Sequence, residues 1–425
     1  MTNARTTAVV ATGSLLLIAT LIGTRILRRS SMVEVERMLE VGDVSGAVEE
    51  VSRGGFKQAT KLDAVKRFSV LILRQGLKER DPYERCYAAA ALAEAGESSG
   101  IPVLRAAYDA PEPTLRMAAI DGLGEIKDPA STTLLKTLYL SSQVVERRVL
   151  LEALAGSGDP DVIGLLLQAA SGGDQVTRLT AIRGLAKSGD RRAAPKVAEL
   201  MANHEDPLEQ AEIGRALIAL GNNKHGIEIA TTALHNRRRP EVRAIGALAL
   251  GEARDTAVLP ELRQAMSDGD ADVKLATAIA LTHYNDGAAV AYLNAAVLHD
   301  DGLTRQHISE LLDGIDFATG RSVVLTAMAS PDENLSMSAI RTIGLLGGEN
   351  EIVILRDALG STKDPIQRAG IAWAFGRIAR PACIPELMTM VPEADPAVRY
   401  TAADALDRTA TGLLAQKTQR PGPNI

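Results

Sequence analysis

Aromatic residues are scarce in this chain of 425 residues, at 3% of the total, with four Phe and one Trp. A β-rich fold needs more aromatic and β-branched residues than this. Cysteine is nearly absent, at two residues, which excludes a disulfide scaffold and a zinc site built on cysteines. Basic charge is also lacking. The net charge of −6 argues against a general nucleic-acid binder, which needs a basic face. No G-x-S-x-G, P-loop, dinucleotide-binding glycine pattern or C-x-x-C occurs. What remains is a chain that is 46% hydrophobic and 24% charged, too apolar for disorder and long enough for two or three ordinary domains. Its apolar content is mostly Leu and Ala, both good helix formers.

Between Arg5 and Arg25 lie nineteen residues without charge, TTAVVATGSLLLIATLIGT. A helix of that length, at ~1.5 Å per residue, just spans a hydrocarbon core of about 30 Å. A cleaved signal peptide would want small residues at −3 and −1 after the apolar run. Here the run leads into Ile22-Gly23-Thr24-Arg25, which offers no such site. The expectation is an uncleaved membrane anchor over residues 1–30. Arg25, Arg28, Arg29 and Arg37 on its C-terminal flank outnumber Arg5, which places the bulk of the chain in the cytoplasm.

The rest of the sequence repeats. Arg85, Arg116, Arg147, Arg178, Arg243, Arg305 and Arg399 each precede a Leu by seven residues, and Gln210, Lys274, Ser336 and Arg368 fill the gaps in phase. These eleven units follow one another at steps of 31 to 33 residues. The position before the Leu is small: Ala91, Gly122, Ala153, Gly184, Ala216, Ala249 and Ala280. A small side chain there lets a neighbouring helix approach closely. Asp81-Pro82, Glu112-Pro113, Asp206-Pro207, Asp364-Pro365 and Asp395-Pro396 each set an acidic cap before a Pro at the first helical position. Stops are expected near Gly96, Gly124, Gly158, Gly189, Gly221, Gly251, Gly347 and Gly376. A second amphipathic helix follows, as at 101–108, 133–140, 162–169 and 258–266. Each unit is a helix pair too small to bury its own face, and stacking supplies the core.

The pattern D-P-x-x-R-x-x-A-x-x-x-L, as in Asp395-Pro396 through Arg399 and Ala402 to Leu406, resembles the HEAT-repeat α-solenoids, and more closely the HEAT-like repeats of the phycobilisome-lyase type. The resemblance implies an all-α, right-handed solenoid of about eleven helix pairs over residues 61–415, on the order of 100 Å long at ~10 Å per stacked pair. In it the D-P-x-x-R helix is the inner one, lining a concave surface. The repeated Arg resembles a ladder residue that bonds acidic and carbonyl groups at the turns. Residues 31–60 would cap the open end, and 416–425 would be a disordered tail. Such a motif specifies a fold and hardly any function.

With the repeat position as zero, positions +2, +5 and +9 point away from the core at 100° per residue. Along the stack they read Glu94, Asp121, Glu125 and Glu152; then Arg183, Lys187 and Arg215; then Ile245, Leu248 and Ile279; then Arg341, Trp373, Arg377 and Arg408. Two neighbouring repeats turning apolar side chains outward, beside an Arg zone and an outward Trp, point to a protein or peptide partner on this face. The expected contact residues are Arg183, Lys187, Arg215, Leu248, Ile279, Arg341, Trp373 and Arg377. A Trp between guanidinium groups suits an acidic peptide with an apolar anchor.

The expectation is therefore a binding scaffold, with no cofactor, nucleic acid or small-molecule substrate. An enzyme is the alternative, either like the metal-dependent deoxyhypusine hydroxylase, a HEAT-like family with several His-Glu dipeptides, or like a bilin lyase. The chain has one His-Glu dipeptide, His204-Glu205, too few ligands. A looser cluster comprises His283, Asp286, Asp300, Asp301 and His307. Cys86 and Cys383, about nine repeats apart in a linear stack, are too distant for a disulfide.

Overall fold

A computed structural model describes residues 32–54, 58–126, 128–142, 144–298 and 302–419. The expected anchor lies outside the described residues. Among them there are 24 α-helices and no strand, and no helix is long and apolar enough to cross a membrane.

Eleven inner helices carry the repeat positions: Pro82–Glu94, Pro113–Glu125, Val144–Leu154, Gln175–Ser188, Pro207–Ala219, Pro240–Ala253, Ala271–Thr282, Gly302–Leu311, Glu333–Leu346, Pro365–Ile378 and Pro396–Gln419. We number the repeats 1 to 11 by these helices. An outer helix precedes each, beginning with Gln58–Gly76 and ending with Cys383–Met390. Asp81, Asp206, Asp364 and Asp395 accept backbone N–H bonds at the starts of inner helices 1, 5, 10 and 11. Glu112 makes no such bond; its side chain is one methylene longer than that of the Asp caps.

The expected stops divide into three kinds, and Gly347 alone caps its helix, Glu333–Leu346, with an extended backbone and a negative φ. Gly96, Gly158, Gly189 and Gly221 have positive φ and end their helices as read. Gly124, Gly251 and Gly376 instead lie inside inner helices, where the next helix crosses. A Cβ on Gly251 would stand 2.6 Å from the Cα of Ala280, and one on Gly376 would stand 2.7 Å from the Cα of Ala405. Gly124 faces Ala153, and Gly344 faces Ala374, in the same way. In these four places the small residue at the position before the Leu, or before Phe375, is one half of a crossing whose other half is a Gly in the preceding repeat. Gly251→Ala is expected to cost about 1–3 kcal/mol, because two backbones must separate. Chemical denaturation of the variant checks this, and an unchanged midpoint would show that the crossing yields freely.

The stack does not end as an open rod. Helix 396–419 packs along outer helix 1 and touches inner helix 1, so the last repeat meets the first. One apolar cluster contains Phe68, Ile72 and Leu73 of the first outer helix together with Tyr400, Ala403 and Leu406 of the last inner helix. Side-chain contacts join the two ends, among them Tyr400 Oη donating to Glu79 at 2.5 Å, Tyr87 Oη to Asp404 at 3.5 Å, Arg377 to Glu125 at 3.0 Å, and the pair of Arg408 with Glu94. The solenoid, expected to extend from end to end, instead closes into a ring of helix pairs. Helices Met32–Glu40 and Val44–Arg53 do not cap an open end either. They sit on the seam, against outer helix 1 and outer helix 11, with Gln75 donating to the carbonyl of Leu39 at 3.1 Å. The expected disordered tail is corrected for residues 416–419, which continue the last helix; residues 420–425 lie outside the described residues.

Candidate functional site at the ring seam

The repeat Arg is structural. Arg116 bonds Glu146 and the carbonyls of Ala110 and Pro111; Arg178 bonds Glu209 and the carbonyl of Gly173. Arg243 bonds Asp268 and the carbonyl of Asn236, and Arg368 bonds Glu393 with the carbonyls of Leu359 and Thr362. Each guanidinium ties the turn before its own helix to an acid of the next repeat. In repeat 5 Gln210 keeps only the turn bond, to the carbonyl of His204 at 2.8 Å. Arg147 breaks the pattern: it is exposed.

The inward positions behave differently from their reading as free contacts. Arg183 pairs with Glu212, Arg215 with Glu252, Arg341 with Asp313 and Arg377 with Glu125. Each of these Arg residues thus carries an ion pair within the ring, while the side chains of Arg183 and Arg341 stay exposed. Lys187 is exposed and has no ion pair among the described residues. The apolar zone is corrected too. Ile279 is 1% exposed, because the turn Leu312–Gly314 after inner helix 8 lies over it. Leu248 and Ile245 are half-buried, packed against apolar clusters.

Of the expected contact residues, Arg341 borders one hollow and Trp373 borders two. Trp373 is half-buried, with its ring against inner helix 9, where a Cβ on Gly344 would stand 2.8 Å from it. The Arg377 guanidinium lies 5.0 Å from the ring centroid. On one side of the ring is a hollow of about 290 Å³ bounded by Met337, Ile340, Arg341 and Gly370. On the other side is a cavity of about 370 Å³ at the seam.

The seam cavity joins repeats 1, 2, 10 and 11. Its walls come largely from the inward positions: Tyr87, Ala90 and Glu94; Ala118, Asp121 and Glu125; Trp373; Asp404 and Arg408. Tyr83 completes the rim, its hydroxyl 2.5 Å from that of Thr114. Ala90, Ala118 and Gly122 leave the space that larger side chains would fill. Burial pushes the Glu94 carboxyl up to about 7, although the Arg408 guanidinium opposes this. Burial likewise raises Asp404, whose two oxygens accept from Arg408 Nε, and raises Asp121, to which Glu152 and Glu125 add repulsion. Burial pushes the Tyr87 hydroxyl up as well, so it stays a neutral donor. A larger hollow of about 560 Å³ lies between outer helices 1 and 11 and residues Leu413 and Gln416, with only Lys61, Glu349, Arg380 and Gln416 as polar side chains. Its polar groups do not converge as those of the inner cavity do.

No group of three or more His, Cys, Asp or Glu that could hold a metal occurs among the described residues. His204 is buried against Glu209, not beside Glu205 in a ligand set. His283 bonds the carbonyl of Gly314 at 2.9 Å, His307 pairs with Asp272 at 2.5 Å, and Asp286 caps the helix from Gly287. Asp300 and Asp301 lie outside the described residues. Cys86 and Cys383 are free and buried, in different apolar clusters. The linear-distance reason for their independence no longer holds, since repeats 1 and 11 are neighbours in the ring.

No curated protein matches the sequence. Among solved structures, human deoxyhypusine hydroxylase in complex with glycerol is 21% identical over 59% of this chain and 96% of its own, with a TM-score of 0.27. The Escherichia coli protein YibA is 17% identical over 63% of this chain and 97% of its own, with a TM-score of 0.31. The family model described as HEAT repeats matches residues 70–148, 141–218 and 227–312, without distinguishing the phycobilisome-lyase type. These segments cover more than half of the sequence, and repeats 9–11 continue them in the same helical register. The chain belongs to the HEAT-repeat family.

Proposed function

We propose that the protein is a membrane-anchored HEAT-repeat scaffold that binds a protein or peptide partner through its inner face. The observation that supports this most is the convergence of inward side chains from four repeats on one cavity walled by Tyr83, Tyr87 and Trp373. Large aromatic side chains at the rim of a concave site are the usual anchors of a protein interface. The paired Arg residues around the ring hold its shape, and the seam cavity carries the recognition. The uncharged stretch before Arg25 supplies the attachment, and its basic flank sets the repeats in the cytoplasm.

The test is capture of a partner from a membrane extract by the full chain, with Trp373→Ala alongside. The variant is expected to lose about 2 kcal/mol or more of partner binding. Its helical circular dichroism should be kept, with a melting temperature a few degrees lower for the lost packing on Gly344. A variant that melts far lower and still binds would remove the seam cavity from the function. Deleting residues 1–30 should release a folded, soluble protein, since the ring does not use them; pelleting of this form with membranes in high salt would overturn the anchor.

A further inference from the structure

We propose that the seam cavity takes an organic cation, an ammonium or guanidinium group on an apolar stem, and not the acidic peptide suggested by the Arg zone. This rests on the reading of the inner face as the recognition surface and specifies its ligand.

The inference starts from charge. Four carboxylates surround the cavity, those of Glu94, Asp121, Glu125 and Asp404, against two guanidinium groups, those of Arg377 and Arg408. Arg408 is shared between Glu94 and Asp404, with Glu125 at 4.0 Å, and Arg377 is engaged by Glu125. Asp121 has no ion pair among the described residues. An anionic ligand would have to displace these acids from their Arg partners. A cation would meet carboxylates that burial now disfavours in their charged form, as the raised Glu94 and Asp404 groups show.

The walls make the second argument. Tyr83, Tyr87 and Trp373 present aromatic rings, whose faces attract cations, and Ala90, Ala91 and Ala118 present an apolar surface for a stem. Arg377 already lies over the Trp373 ring at 5.0 Å, an instance of the same chemistry within the chain. About 370 Å³ accommodates a long side chain or a small amine, not a folded segment. Two sources share this chemistry: a Lys or Arg side chain of a partner, and a free amine.

Trp373 is the only Trp in the sequence, so its emission reports on this cavity and the adjoining hollow beside Arg341, and the Asp121 variant tells the two apart. The full chain would be titrated with N-acetyl-lysine methylamide, butylamine, N-acetyl-norleucine methylamide and N-acetyl-glutamate methylamide. The expected result is a saturable change of emission with the first two, at least tenfold tighter than with the norleucine compound, and none with the glutamate compound. Asp121→Asn, exposed and outside any ion pair, should weaken the cation threefold or more with an unchanged melting curve. If the lysine compound binds at least tenfold tighter than butylamine, the source is a protein side chain; if the two bind alike, it is a free amine. Equal binding of the norleucine compound, preference for the glutamate compound, or no saturation by any amine would overturn the proposal. Should the amines fail while Trp373→Ala still abolishes partner capture, the scaffold reading stands and the cation falls; amine binding without any partner capture gives the converse.

Discussion

Tyr400→Ala is expected to open the ring. Tyr400 is 1% exposed and the largest fully buried side chain among the described residues, and it lies on the seam, with its ring against Gly76 of the first outer helix. Its hydroxyl also donates to Glu79 across the junction at 2.5 Å. Truncation of a buried aromatic costs about 3–5 kcal/mol through lost transfer energy and the hole left behind. Here that loss falls on a single interface. Stability by denaturation should drop by this amount, and solution scattering should show a larger radius of gyration as repeats 1 and 11 part. Tyr400→Phe keeps the ring and removes only the hydroxyl bond, so it should cost about 0.5–1.5 kcal/mol and leave the radius unchanged. An unchanged radius in Tyr400→Ala would mean that the other seam contacts suffice for closure.

The second large effect is expected at Arg178. Its guanidinium bonds Glu209, whose side chain is 2% exposed and which also pairs with the equally buried His204. Arg178→Met keeps the apolar stem and leaves that carboxylate without its cation. Removing one partner of a buried pair costs about 3–5 kcal/mol, because the other charge stays out of water. The pH dependence has a definite sign. Burial pushes the Glu209 carboxyl up, but bonds from Arg178 and His204 outweigh it and hold the group below its usual range. The pair therefore adds stability above the ordinary carboxylate pKa of about 4.3 and loses it as pH falls through the lower folded value. The gap between wild type and Arg178→Met should narrow on acidification through that window. The double variant Arg178→Met, Glu209→Gln should recover much of the loss at pH 7. If it recovers nothing, the cost lies in the turn carbonyl of Gly173 rather than in the ion pair.

Much of the fold was legible in the residues because it is local and periodic. The Asp-Pro starts, the repeat Arg and the small residue before the Leu each act within one turn or between adjacent helices, where 31-residue spacing makes them visible. Gly124, Gly251 and Gly376 were misread because a Gly at a close crossing and a Gly at a helix stop look alike in sequence. The actual stops after two of them fall on Arg254 and Ala379, which take φ of 55° and 50°. Closure was not legible. It depends on small rotations summed over eleven repeats, and its contacts join residues more than 250 positions apart, such as Arg377 and Glu125. A signal was present all the same. Repeats 1–3 turn acids inward and repeats 9–11 turn Arg inward, which is the charge pattern of two surfaces made for each other. Read as separate zones, they suggested an outside ligand for each. Joined, Arg377 and Arg408 pair with acids of repeats 1 and 2, and Trp373 is the expected contact that faces the cavity left between them.

The ring also bears on how the chain gains and loses its structure. In a linear repeat array the terminal unit has one neighbour, so fraying begins there and travels inward. Here repeats 1 and 11 each have two neighbours, and the helix pair 32–53 lies across their junction. The first unit to unfold must break two interfaces at once. Folding meets the opposite asymmetry: ten interfaces form between sequence neighbours, whereas the eleventh must close a loop of more than 300 residues, as from Glu79 to Tyr400. Closure is thus the slow, late step of assembly and, once made, the bolt that holds the remaining repeats against stepwise loss.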